Sequence, residues 1–167
     1  MAYRNGTYIA FHAGGTTDQT ASDIRYYRLL KAWHENDDVE FRFINSHEKA
    51  SAVRDTSKKE TLRRSLRERL NSSRNMILII GETPKSDTDW VPFEIAYAIN
   101  SCKIPIIATY TDYYKITAPA LLAHLWPPAL ANRIRNGTAR VIHIPFKQKV
   151  IDAAIRQFDL NNQPLAV

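Results

Sequence analysis

The sequence predicts a three-layer α/β fold built on a five-stranded parallel sheet. Three observations carry this expectation. Five short apolar runs alternate with segments of helical periodicity, the pattern of a parallel sheet covered by helices on both faces. The run Asn75–Gly81 is apolar without alternation, as a strand buried on both sides is. The length, 167 residues, suits one compact domain, with boundaries at 1–160 and a loose tail at 161–167. Right-handed crossovers leave few topologies. The flavodoxin-like order 2-1-3-4-5 fits a polar-containing second strand at the edge and the apolar third at the centre. Its ligand crevice lies at the carboxyl ends of strands one and three.

The elements follow in order. Tyr8–His12 reads as the first strand and Gly14-Gly15-Thr16-Thr17 as the loop after it. A helix over Ser22–Glu35 carries Tyr26, Leu29, Leu30 and Trp33 on one face. Phe41–Asn45 is the second strand, and its Arg42 suits an edge. Ser57-Lys58-Lys59-Glu60 reads as a capping box. The helix it opens buries Leu62, Leu66 and Leu70 and turns its arginines outward. After the central strand, Asp89 caps a helix with Pro92 in its first turn, where a missing amide hydrogen costs little. That helix ends near Ser101–Lys103, and Ile104–Tyr110 is the fourth strand. Prolines 119, 127 and 128 break the next stretch into short pieces, with a helix over Ala129–Arg135. Val141–Ile144 is the fifth strand and Gln148–Phe158 the last helix.

Composition bounds the function classes. No run of about 18 apolar residues exists to span a membrane, and the start Met-Ala-Tyr-Arg-Asn-Gly lacks the apolar region of a signal peptide. Cys102 is the sole cysteine, which excludes a disulfide framework and a cysteine-based zinc site. A reducing, cytoplasmic location is the default, and the sequons at Asn5, Asn71 and Asn136 then carry no meaning. The net charge is +6. Residues 58–74 hold seven basic and two acidic side chains, so 7 − 2 = +5 of it sits in one segment. Such a run is first a solvated helix face and second a patch that steers an anionic ligand. Without interleaved aromatics, nucleic-acid binding ranks last.

The strand ends offer Phe11, His12, Asn45, Ser46, Gly81, Glu82 and Tyr110 to the crevice. Glu94 is set on the helix beside them. Trp90 lies four residues earlier, about 40° away around a helix, so the two share a face. Trp90 reads as a packing residue and as a candidate on the substrate side. Glu94 reads either as a site carboxylate or as an exposed helix-start acid favoured by the dipole. Gly14-Gly15-Thr16-Thr17 is neither a Walker loop nor a dinucleotide fingerprint. His34, His47, His124 and His143 show no metal-ligand spacing, so no metal is expected. Nucleophile elbows are absent, and Asp37-Asp38 reads as a turn after the first helix.

These residues also form a family-like block. Met76-Ile77-Leu78-Ile79-Ile80-Gly81-Glu82-Thr83, then Trp90-Val91-Pro92-Phe93-Glu94-Ile95-Ala96-Tyr97-Ala98, then Lys103-Ile104-Pro105-Ile106-Ile107 resembles the TIR-like proteins of bacterial Thoeris antiphage defence, the ThsB type, a branch of the Toll/interleukin-1 receptor superfamily. The order of apolar strand, Gly-Glu turn, Trp-x-x-x-Glu helix and Lys-x-Pro-Ile-Ile strand carries the resemblance. Tyr8–His12 and Ser65–Ser73 are similar to that family's first strand and to its arginine-rich helix. The likeness covers about residues 8–110.

The resemblance implies a single TIR-like domain and an NAD+-consuming enzyme. Such enzymes cleave the bond between nicotinamide and ribose and make an ADP-ribose-derived signal, cyclic in some cases, for a separate effector protein. NAD+ is then the substrate and no further cofactor is implied; self-association is a feature of the family. The family's catalytic glutamate falls on Glu94. From strand-end position, Phe11 and His12 are expected to flank nicotinamide or ribose, and Asn45 and Ser46 to bond ribose hydroxyls or phosphate. Two other classes stay open: a non-catalytic TIR-type interaction module, and a nucleoside deoxyribosyltransferase-like enzyme.

Overall fold

The structure is a computed structural model that describes residues 4–11, 24–44, 56–81 and 90–161. Five parallel strands form one sheet in the order β2-β1-β3-β4-β5. They are β1 (Gly6–Ala10), β2 (Glu40–Arg42), β3 (Ser73–Ile80), β4 (Ile106–Tyr110) and β5 (Val141–Pro145). The helices are α1 (Ile24–Trp33), α2 (Thr56–Asn71), α3 (Trp90–Tyr97), α4 (Pro128–Arg135) and α5 (Gln148–Gln157). A 3₁₀ segment, Pro119–Leu125, precedes α4. This is the flavodoxin-like arrangement expected from the strand pattern.

Strand periodicity divides the core into two layers. Met76, Leu78 and Ile80 of β3, with Tyr8, Ala10, Ile106, Ala108 and Tyr110, face α2, α3 and α4. Ile77 and Ile79, with Ile9, Ile107, Ile142 and Ile144, face α1 and α5. Near the start of β3, Ser73 and Asn75 are polar and fully buried. Asn75 is the one that spans the layers. It accepts a bond from Thr7 Oγ1 at 2.7 Å and donates to the carbonyls of Ile155 and Phe158 at 3.2 and 3.1 Å. One amide thereby joins β1, β3 and the end of α5.

Leu62, Leu66 and Leu70 are buried as their spacing predicts. Several other expectations change. The buried face of α1 is Ile24, Tyr27 and Leu30, while Leu29 is 41% exposed. Tyr26 and Trp33 flank this face, partly buried, with the Phe146 ring just after β5 at centroid distances of 5.1 and 5.3 Å. Ser57 lies inside the first turn of α2, which begins at Thr56, and not on the cap position. The arginines of α2 do not all face solvent. Arg63 and Arg67 are half-buried and lie over the Phe93 ring of α3, 5.8 and 5.6 Å from its centroid.

Arg42 confirms the edge reading of β2. Its guanidinium donates to Ser72 O at 2.9 Å and to Asn5 Oδ1 at 3.2 Å, and pairs with Glu40 at 3.0 Å. It crosses β1 over Gly6, where a Cβ would fall on the guanidinium itself. After α3 the chain makes one π turn, Ala98–Cys102, and stops at Lys103, a left-handed residue with φ 58°. Asp89 and the tail from residue 162 lie outside the described residues. Among those residues no helix is long and apolar enough to cross a membrane.

Replacing Asn75 with alanine leaves the two carbonyls and the Thr7 hydroxyl without their partner. At about 1–3 kcal/mol for a buried group so stranded, the loss should reach about 3 kcal/mol. Urea unfolding with an unchanged m-value would measure it.

Candidate active site

Glu94 is the fifth residue of α3, the helix that follows the central strand. Its neighbours Trp90, Val91 and Ile95 are buried and fix the helix against the sheet. Glu94 itself is 0% exposed, so the reading as an exposed helix-start acid is set aside. Tyr8, also 0% exposed, donates its hydroxyl to Glu94 Oε1 at 3.0 Å. A buried phenol needs a partner, and β1 aims this one across the layer at the carboxylate.

The electrostatics follow from that burial. Tyr8 is held well above the usual tyrosine range, first by desolvation, then by the charge of Glu94 and the hydrogen bond to it. Arg69 of α2 opposes this shift. A guanidinium therefore acts on the Tyr8–Glu94 pair from the basic helix. Tyr8 remains a neutral donor and helps fix the orientation of Glu94. A carboxylate held this way can stabilise a nearby developing cation, because a low-dielectric surround strengthens the interaction.

Trp90 joins Glu94 in the same layer, packed in the core at 3% exposure. Phe11 does not. It lies in the opposite layer, fully buried, with ring centroids 6.2 Å from Tyr27 and 6.0 Å from Phe43. His12, Asn45 and Ser46 lie outside the described residues, as do Gly14–Thr17 and Glu82.

Tyr110, expected at the crevice, is buried at the end of β4 in a polar chain. It accepts from Trp126 Nε1 at 2.8 Å, and its oxygen lies 2.8 Å from His143 Nδ1. The tryptophan N–H occupies the acceptor side, so the phenol donates to Nδ1 and His143 carries its proton on Nε2. Burial raises Tyr110 and pushes His143 down to about 4. Sequence reasoning missed the Tyr8 contact and this chain. The available signal was a polar-tipped aromatic within a buried strand, Tyr8 in β1 and Tyr110 at the end of β4.

With this geometry in place, the family comparison is decisive. The model of the Thoeris protein ThsB TIR-like domain matches residues 8–116, which include Tyr8, Trp90, Glu94 and Tyr110. The chain belongs to the ThsB TIR-like family. A solved structure, a conserved protein from Enterococcus faecalis V583, is similar at 19% identity and a TM-score of 0.49, over 92% of this chain and 98% of that one.

Tyr8→Phe removes a hydrogen bond to a buried carboxylate and should destabilise by about 1.5–3 kcal/mol in thermal unfolding. For His143 the folded-state value lies below the ordinary 6.5. Its contribution is thus complete above about 6.5 and lost as pH falls toward about 4. A His143→Gln variant should lose stability at neutral pH but show a flatter acid limb in the same window.

Proposed function

We propose that the protein is an NAD+-consuming enzyme of the TIR type. It breaks the N-glycosidic bond between nicotinamide and ribose and makes an ADP-ribose-derived signal for a separate effector in antiphage defence. The observation that carries this reading is Glu94: a buried, tyrosine-bonded carboxylate on the helix after the central strand, inside the family-matched span.

The chemistry asks for little else. When the C1′–N bond breaks, its electron pair neutralises the pyridinium, so nicotinamide leaves without protonation. The ribose becomes oxocarbenium-like, as in glycoside hydrolysis. Glu94 stabilises that cation or holds the ribose hydroxyls, and Tyr8 keeps its carboxylate oriented. Water attack at C1′ gives ADP-ribose and a proton, and attack by a group of the ADP-ribose gives a cyclic product. In this reading the basic face of α2 steers the pyrophosphate, and the reaction needs neither metal nor redox cofactor.

The complete burial of Glu94 favours a second reading, in which the carboxylate is a structural partner of Tyr8 in an interaction module. One experiment separates them. Purified protein is incubated with NAD+, alone and with lysate of phage-infected cells, and nicotinamide is quantified by chromatography. The catalytic reading expects release that falls at least about a hundredfold in Glu94→Gln, the scale of losing one preorganised electrostatic contact, while the variant keeps the parent's circular dichroism. Absence of turnover in both conditions, or release indifferent to Glu94→Gln, sinks it.

A further inference from the structure

We infer that His34, Asp37 and Asp152 form a binding site for a divalent transition ion of the zinc class. The cluster lies in the α1/α5 layer, across the sheet from Glu94. His34 follows α1 and is nearly sealed from solvent, its side chain 1% exposed. Its Nδ1 lies 3.0 Å from the Leu30 carbonyl oxygen, which can only accept, so Nδ1 carries a proton. The ring of Phe41 stands edge-on at 5.4 Å and 84°, which holds the imidazole plane.

In the neutral ring, Nε2 then presents a lone pair. It faces Asp152 Oδ1 at 3.4 Å, and the ligand atoms of His34, Asp37 and Asp152 all lie within 4.8 Å of one another. A lone pair and two carboxylates are all acceptors, a donor set that suits a cation, and the Arg156 guanidinium already meets both carboxylates from the solvent side. Tetrahedral zinc, with bonds of about 2.0–2.2 Å, sets ligand–ligand edges of roughly 3.3–3.5 Å. The His34–Asp152 pair already has that spacing. The carboxylates are 37% and 39% exposed and free to rotate the rest of the way. The Nδ1 bond to a backbone carbonyl is the orienting contact that metal-bound histidines use. An imidazole among the ligands selects the zinc class over magnesium or calcium, which favour oxygen.

Arg156 is the competitor. It contacts Asp37 Oδ2 at 3.3 Å and Asp152 Oδ1 at 3.0 Å, with a side chain 54% exposed that can swing away. Asp38 adds negative charge beside it. An ion here would tie the end of α1, the turn into β2 and α5 together, three pieces that only the fold brings close. Sequence spacing could not reveal it, because the third ligand comes from the last helix.

The test uses the full chain washed with chelator and titrated with Co2+, read by its visible absorption. A single tight equivalent is expected, displaced by Zn2+ and not by Mg2+. Asp37→Asn and Asp152→Asn should each weaken it by at least about tenfold, with circular dichroism unchanged. Arg156→Gln should tighten it, and this variant keeps all three ligands should an aspartate variant fail to fold. No binding at millimolar Co2+, binding that survives either aspartate substitution, or binding that weakens in Arg156→Gln overturns the site.

Discussion

The central strand β3 is buried on both faces, and most of the architecture answers that constraint. A parallel strand with apolar residues on both sides cannot leave either face to water. Met76, Leu78 and Ile80 require the layer of α2, α3 and α4, and Ile77 and Ile79 require α1 and α5. Each crossover helix must therefore return across the sheet before the next strand is laid down. The helix after β3 is one of these returns. Glu94 stands beside the sheet because α3 has to cover Ile80 and its neighbours with Trp90, Val91 and Ile95.

Burial then determines the state of the polar groups that the layers enclose. Tyr8, Glu94 and Asn75 are all at 0% exposure. Such groups cost several kcal/mol unless they are bonded, so each is tied to a partner far away in the chain. Tyr8 finds Glu94, and Asn75 finds Thr7 and the end of α5. These bonds specify how strands and helices sit on one another, a matter that apolar packing alone leaves loose. The carboxylate best suited to chemistry is thus also a structural tie between β1 and α3.

The basic segment shows the same economy. Read along the chain, residues 58–74 are a charge run. In the fold, Arg63 and Arg67 cover the Phe93 ring and pair with Glu60, and Arg69 acts on Tyr8. Long cationic side chains bury their stems while the heads stay partly wet. Part of the positive charge is thereby committed to holding α2 against α3.

The sequence by itself determined the element order, the central strand, the edge strand, the leucine stripe of α2 and the family. These rest on local periodicity and on contiguous motifs, which survive without knowledge of the fold. The block from Met76 to Ile107 was enough to single out Glu94. Only the tertiary structure decided which face of α1 is buried, because the layer that receives it is assembled from strands and a last helix far along the chain. Only it decided that Glu94 is sealed and bonded to Tyr8, 86 residues away. Phe11 shows the limit most plainly. It directly follows the strand that carries Tyr8, yet the alternation begun in that strand sends it into the other layer, away from Glu94. The composition of a strand end says which residues arrive at a crevice. The pleat says which side of the sheet each one serves.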